Sequence, residues 1–222
     1  MKIFTVGAKC HARILRRILM AEPHVGPLHE FPVVYDADKS TTRPWVSCEL
    51  FHDLDIALPE AQRLCSHFIV AIGSNGKRRA KLSEQLICVG LEPVSIIHQT
   101  AHIGEETKIG KGAQILTNVN IGDEVTIGDW CMMHATSSVE HQSTLGNGVT
   151  VMAGASLMGE VTVKDYATIG GHSTVMKTMI GEGATVGAGA VVTKDVPPGI
   201  TVVGTPAKEL RRLTLVDNQT SA

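Results

Sequence analysis

The sequence predicts a small parallel α/β domain followed by a three-sided β-solenoid. Two observations carry this prediction. The hydrophobic period changes near residue 98, and beyond that point an aliphatic residue recurs at every sixth position. A third observation is compositional: aromatics are only 4% of the 222 residues, while Gly numbers 22. A core so poor in rings is filled by Val, Ile, Ala and Met, which suits a narrow, regular interior.

Within residues 1–97, short apolar runs alternate with helical spacing. Ile3 to Val6 reads as a strand, and His11 to Met20 as a helix with Ile14, Leu15, Ile18 and Leu19 on one face. Phe31 to Tyr35 reads as a second strand and Leu58 to Cys65 as a helix. Phe68 to Ile72 is a strand ending in a turn at Gly73-Ser74-Asn75. Lys77 to Leu86 has helical spacing, and Val94 to Ile97 reads as a last strand. Strands that alternate with helices argue for a parallel sheet.

From residue 98 the grammar differs. Ile103, Ile109, Ile115, Ile121, Ile127, Met133 and Val139 open a series that runs unbroken to Val175. After a step of five it resumes at Ile180, Val186 and Val192. An α-helix cannot keep a six-residue period on one face, and a flat sheet needs a period of two. A unit of one short strand plus one corner fits, and three units close a triangular coil of about 18 residues. Gly directly after the aliphatic residue, as at Gly104, Gly110, Gly122 and Gly128, relieves the corners. The short step between Val175 and Ile180 predicts an irregular corner. The expected organisation is therefore 1–97, 98–209 and a tail at 210–222.

Composition excludes several functions. Hydrophobic residues are 43% and charged residues 19%, with a formal net charge of −2. No basic excess exists to neutralise a phosphate backbone, so nucleic acid is not expected as a partner. No apolar stretch is long enough to span a bilayer, and the N-terminal apolar run is too short for a signal peptide. The five cysteines are scattered, odd in number and without CxxC spacing. They read as reduced thiols of a cytoplasmic protein.

The closing segment Gly187-Ala188-Gly189-Ala190-Val191-Val192-Thr193-Lys194-Asp195-Val196-Pro197-Pro198-Gly199, then Val203-Gly204-Thr205-Pro206-Ala207-Lys208, is the most specific motif. With the repeat, it resembles the left-handed parallel β-helix of the hexapeptide acyltransferases that use CoA. The left hand is implied by that resemblance, not by the period. Both halves together, from residue 2 to about 208, resemble the subfamily that N-acetylates nucleotide-linked 4-amino sugars, the PglD, PerB and NeuD-like enzymes. The resemblance implies a Rossmann-like N-terminal domain holding the nucleotide sugar, and a β-helix holding acetyl-CoA as co-substrate with no metal. It also implies a homotrimer with active sites between neighbouring β-helices.

Three local matches place the implied substrate site. Gly7, Lys9 and His11 lie in Val6-Gly7-Ala8-Lys9-Cys10-His11-Ala12-Arg13, where the family has a Gly-rich loop ending in His-Ala-Lys. Only Gly7 of those glycines remains, and Lys9 can supply charge in their place. Asp36 and Asp38 follow the second strand, where a carboxylate can accept hydrogen bonds from ribose or base. Ser74, Asn75 and Arg78 form the strand-turn that meets the nucleotide in the family. A turn leading into a helix offers free N–H groups to a pyrophosphate, and an Arg can pair with phosphate.

N-acetylation needs a base for the attacking amine, a donor for the thioester oxyanion, and both substrates in line. Of the ten histidines, His141 occupies the family's catalytic position, two past Val139 in Ser138-Val139-Glu140-His141-Gln142. The next residue, usually acidic, is Gln142; its side-chain oxygen can accept from Nδ1–H and fix the tautomer without adding charge. His134 stands where the family often has Asn near the sugar, and Thr150 where some relatives carry a second His. For oxyanion and CoA the resemblance points to Gly159 and Gly171, with Ala188 and Lys194 further along. Three other readings remain. One is O-acetylation, as in the sialic-acid branch; another is a β-helix that binds without catalysis. A zinc enzyme like the γ-type carbonic anhydrases is the third, and it lacks a matching triplet of histidines.

Overall fold

A computed structural model describes residues 1–21 and 29–210; the tail expected over 210–222 lies outside these from residue 211 on. In the first part, β1 (Ile3–Val6), α1 (Cys10–Ala21), β2 (Val33–Tyr35), β3 (Glu49–Phe51), α2 (Leu54–Leu64), β4 (His67–Val70), α3 (Gly76–Cys88) and β5 (Glu92–Pro93) follow in order. The strands pair in the order β3-β2-β1-β4-β5, all parallel. Strands β1 and β4 are covered on both faces, so they read as continuous apolar runs rather than alternating ones. One face takes α1 through Ala12, Leu15, Ile18 and Leu19, which pack on Ile3 and Ile69. The other takes α2 and α3 through Ala57, Ala61, Ala80 and Leu86 against Phe4, Val6, Phe68 and Val70.

Three elements differ from expectation. Strand β3 was not expected: as an edge strand it buries none of its three side chains fully, so its sequence carries no burial pattern. Helix α2 begins at Leu54 rather than Leu58. Asp53 caps it, accepting from the Asp55 N–H at 2.9 Å, and Pro59 is accommodated inside. The strand expected over Val94 to Ile97 is divided. Glu92–Pro93 pairs with β4, whereas Ile96–Ile97 pairs with Gln114–Ile115, because the chain there crosses from the sheet to the repeat.

The repeat forms three parallel sheets, one per side of the coil. Face one stacks His102–Ile103, Asn120–Ile121, Ser138–Val139, Ser156–Leu157, Thr174–Val175 and Val191–Val192. Face two starts at Lys108–Ile109 and face three at Ile96–Ile97. The second residue of each pair points inward, and Ile121, Val139, Leu157, Val175 and their counterparts form one continuous core. Each such aliphatic contributes about 1.5–3 kcal/mol of burial. At most corners the residue three past the aliphatic has positive φ, whether Gly (Gly112, Gly148) or not (Glu124, Gln142, Glu160); Thr178 in the shortened corner does not. Asn120 pairs with Ser138, one coil on. Above the shortened corner Met176–Thr178 the register drops by one residue, and Thr162 pairs with Met179. Lys208–Glu209 folds back antiparallel on Thr201–Val203.

Face three carries the α/β part. Ile96, Gln114, Met132 and Thr150 are buried there. At Gly76 a Cβ would lie 1.7 Å from the Gly148 carbonyl oxygen, so no larger residue fits. Buried Arg79 ties the halves together. Its Nε donates to Trp130 O at 2.8 Å and its guanidinium to Ile72 O at 2.8 Å, Gly148 O at 3.3 Å and Thr150 Oγ1 at 3.1 Å. Burial lowers its pKa to about 10, so it stays charged at neutral pH. Trp130 stacks on Phe68 with centroids 6.3 Å apart. Among the described residues no helix is long and apolar enough to cross a membrane.

Candidate active site

Side-chain caps hold part of the solenoid's corners, and the column that contains His141 is largely without them. At the corner between faces two and three, the first three N–H groups two past the aliphatic are capped by an Asx side chain from the coil above. Lys111 N–H donates to Asp129 Oδ1 at 2.9 Å, Asp129 N–H to Asn147 Oδ1 at 2.9 Å, and Asn147 N–H to Asp165 Oδ1 at 2.8 Å. Between faces one and two the same column holds Glu105, Asp123, His141, Gly159, Lys177 and Lys194. There Glu105 N–H donates to Asp123 Oδ1 at 2.8 Å, and then the acceptors run out. An imidazole, a bare glycine and a lysine stand where Asx would be. Among the described residues the N–H groups of Asp123, His141, Gly159 and Lys177 therefore meet no acceptor, and those of His141 and Gly159 lie beside the ring.

His141 is exposed, and its ring lies over Gly159. A Cβ at 159 would sit 2.5 Å from both Cε1 and Nε2 of His141. Gly159 does not need positive φ, so it is glycine for space. Gln142 does not orient the ring. It occupies a corner position with φ of 57°, and its amide donates instead to Glu124 Oε2 at 3.2 Å, one coil below. The corner conformation aims the side chain along the stack rather than at its sequence neighbour. Met158 and Met176 stack beside Gly159 and Lys177 and are 42% and 45% exposed.

The expected substrate residues gather elsewhere. A pocket of about 320 Å³ opens at the carboxyl ends of β1 and β2, lined by Gly7, Lys9, His11, Asp36 and Arg78 among others. Gly7 has φ of 100°, and a Cβ there would approach Ala71 O to 2.8 Å. Both carboxylate oxygens of Asp36 are already engaged: Oδ2 accepts from Ala8 N–H at 2.9 Å and Oδ1 from Asp38 N–H at 3.0 Å. Asp38 points away to Lys9 Nζ at 2.8 Å and to Ser40. The Lys9 ammonium and the Ser40 donors hold its carboxyl well below the usual range. Asn75 caps α3 by accepting from Arg78 N–H at 2.9 Å, and Ser74 is exposed on the turn before it.

His11 and His134 meet at the pocket's inner side with ring centroids 5.9 Å apart. Gln114 Nε2 donates to Val70 O at 2.8 Å, which leaves its oxygen to accept from His11 Nε2–H at 2.8 Å. His134 Nε2 lies 3.4 Å from Gly73 O. Burial lowers the pKa of both imidazoles, so both are neutral at pH 7. The sequence gives no sign of Gln114 or Arg79 in this junction, since most of their partners are backbone carbonyls and the side chains they meet, His11 and Thr150, lie in distant segments.

His134 and His141 flank Ser138–Val139 and stand on opposite edges of face one. The four residues expected to hold CoA divide the same way. Gly159 and Lys194 lie on the His141 edge, while Gly171 and Ala188 stack on the other, where Gly189 N–H donates to Gly171 O at 2.9 Å. A free imidazole beside two unpaired N–H groups, an exposed thioether rail and a lysine suit a thioester and its phosphorylated carrier. Among the described residues no three His, Cys, Asp or Glu side chains gather as metal ligands.

Residues 100–135 match the family model described as bacterial transferase hexapeptide (six repeats), and residues 161–194 that of the hexapeptide repeat of succinyl-transferase. The chain is 39% identical over 159 residues to GDP-perosamine N-acetyltransferase of Escherichia coli O157:H7, covering 69% of this chain and 72% of that protein. Among solved structures, a histidine-to-alanine variant of GDP-perosamine N-acetyltransferase from Caulobacter crescentus, in complex with CoA and GDP-perosamine, superposes with a TM-score of 0.85. It is 28% identical, over 96% of this chain and 98% of that one. WeeI from Acinetobacter baumannii AYE gives 0.81 at 27% identity, over 95% and 100%.

Proposed function

The chain belongs to the hexapeptide-repeat acyltransferases, in the branch of the nucleotide-sugar N-acetyltransferases, and we propose that it moves an acetyl group from acetyl-CoA to the amine of a nucleotide-linked 4-amino sugar. The observation that carries this reading is the exposed His141 ring seated on Gly159, beside the backbone N–H groups of His141 and Gly159, which meet no acceptor among the described residues. The GDP-perosamine enzymes it resembles make a GDP-linked amino sugar the first acceptor to test.

In this reading residues 1–97 are a Rossmann-like nucleotide-sugar domain, supported by the parallel order β3-β2-β1-β4-β5 and the pocket at Gly7, Lys9, His11 and Arg78. Residues 98–209 form the left-handed β-helix that performs transfer. The acceptor amine attacks the thioester carbonyl. His141 takes its proton, and the Gly159 N–H donates to the developing oxyanion. The N–C bond forms, the C–S bond breaks, and the proton returns from imidazolium to the departing thiolate. Met158 and Met176 offer apolar surface to the pantetheine arm, and Lys194 offers charge to phosphate. Since pocket and base lie on opposite edges of face one, the complete site joins the pocket edge of one chain to the His141 edge of another, as in a homotrimer.

A thiol-release assay with acetyl-CoA and UDP-, GDP- and dTDP-linked amino sugars tests the reading. Release that depends on one of these acceptors is expected. Release with none of them, under conditions where the protein is folded, refutes it.

A further inference from the structure

The two edges of face one differ in charge. Parallel pairing stacks Ile103, Ile121 and Val139, so each of these coils has one corner before face one and one after it. The corners after it hold Glu105 and Glu106 in the first coil, Asp123 and Glu124 in the second, and Glu140 in the third; the first four are exposed. Lys108, the next cation along the chain, belongs to face two. The corners before face one, 98–101, 116–119 and 134–137, hold no carboxylate. Helix α1 lies along that edge. Its Ile14 and Arg17 line a cavity of about 360 Å³ with His98, Leu116, Thr117 and Ala135, drawn from all three coils. The helix carries Arg13, Arg16 and Arg17 and no acid. Arg16 is turned onto the rings of Phe31 and Trp45, 5.6 and 5.3 Å from their centroids. Arg13 and Arg17 are exposed one turn apart, where like charges repel.

Among the described residues, neither these two arginines nor Glu105, Glu106, Asp123 and Glu124 enter an ion pair. One chain thus keeps a cationic and an anionic strip apart, on opposite edges and over the same coils. A second copy turned about an axis along the stack brings the two strips together. Because the edges differ, that contact repeats from copy to copy and closes a ring. We propose that Arg13 and Arg17 of one chain dock on the acidic corners of a second copy, at Glu105, Glu106, Asp123 and Glu124, and that this pairing sets the height at which the two chains meet. The proposal rests on the reading that the site joins two chains. His134 at the pocket's inner side and His141 belong to the same coil, before and after Ser138–Val139. With the two lower coils level, the base of one chain therefore comes level with the pocket edge of the next.

The test is analytical ultracentrifugation of the full chain and of Arg13→Glu/Arg17→Glu, Glu106→Arg/Glu124→Arg and the fourfold combination, with thiol release measured on each and folding checked by circular dichroism. Each double variant should raise the concentration of half-dissociation by about 10-fold or more, since exposed attractive pairs become repulsive, and should lose turnover as it dissociates. The combination restores opposite charges and should bring both quantities back to within about threefold of the parent. In the parent, association should weaken as salt rises from about 50 to about 500 mM, an arm that needs no variant to fold. Association unmoved by either double variant, a loss that the combination does not repair, or association indifferent to salt overturns the pairing. If the parent acetylates an amino sugar and still gives one of these results, only the pairing is dismissed. If the variants dissociate and recover as expected while no amino sugar is acetylated, the functional reading fails and the pairing stands.

Discussion

Replacing Gly159 with Ala adds a single methyl group directly under the His141 ring. The three nearest atoms to that methyl are Cε1 and Nε2 at 2.5 Å and Nδ1 at 3.1 Å. Carbon contacts are comfortable near 3.5 Å, so the ring must move by about 1 Å. No backbone atom is among the three nearest and φ is not positive, so the corner itself is undisturbed. The ring is exposed and can swing outward, which makes the change cheap for stability. It is expensive for chemistry, because a displacement of about 1 Å at a reacting group can cost about 10²-fold in rate. Gly159→Ala should therefore keep its melting temperature within about 2 °C and lose about 10²-fold in kcat in the thiol-release assay. Turnover near that of the parent enzyme would show that the position of His141 over Gly159 does not matter. A large loss of stability would show that position 159 serves the fold instead.

Three further outcomes follow from other parts of the molecule. Arg79→Met leaves the carbonyls of Ile72, Trp130 and Gly148 without their donor, and should lower stability by about 3 kcal/mol or more in urea unfolding; an unchanged midpoint would deny Arg79 its role in joining the halves. Because burial lowers the pKa of His11 and His134 below 6.5, the unfolded chain binds more protons than the folded one below about pH 6.5. Their contribution to stability is complete above that pH and is lost as pH falls through the folded values. The melting temperature should drop from pH 7 to pH 5 more steeply in the parent than in His11→Gln/His134→Asn; equal slopes would contradict this. Gly76→Ala drives a Cβ to 1.7 Å from Gly148 O and should separate the two halves or prevent folding, as limited proteolysis near residue 95 would reveal.

The repeat was legible because its physics is one-dimensional. Each aliphatic from Ile103 onward has to point inward, and missing a position opens the coil, so the period survives in the sequence. The shortened step after Val175 was visible for the same reason, and it appears as the change from the Asn120–Ser138 register to Thr162–Met179. What the sequence hid depends on stacking. Neighbours in this fold lie 18 residues apart, so Gln142 answers to Glu124 rather than to His141, and Gly159 answers to His141. The Asx column was readable in principle: Asp129, Asn147 and Asp165 recur at that step, and His141 and Gly159 interrupt the parallel column above Asp123. In the α/β part, Asp36 looks like a free carboxylate after a strand, yet the backbone of its own loop consumes both oxygens. Arg79 left no trace because three of its four acceptors are carbonyls, which any residue carries. Arg78 beside it drew attention only through its place in the turn.

The most direct test of the central claim is a mass measurement on the acceptor. The protein is incubated with acetyl-CoA and GDP-perosamine, beside His141→Ala shown to be folded by its melting temperature. The account predicts one added acetyl group on the sugar nitrogen with the parent chain, and a rate about 10²–10⁴-fold lower with the variant. An acceptor acetylated equally by both proteins, or acetylated on a hydroxyl rather than the amine, would contradict it.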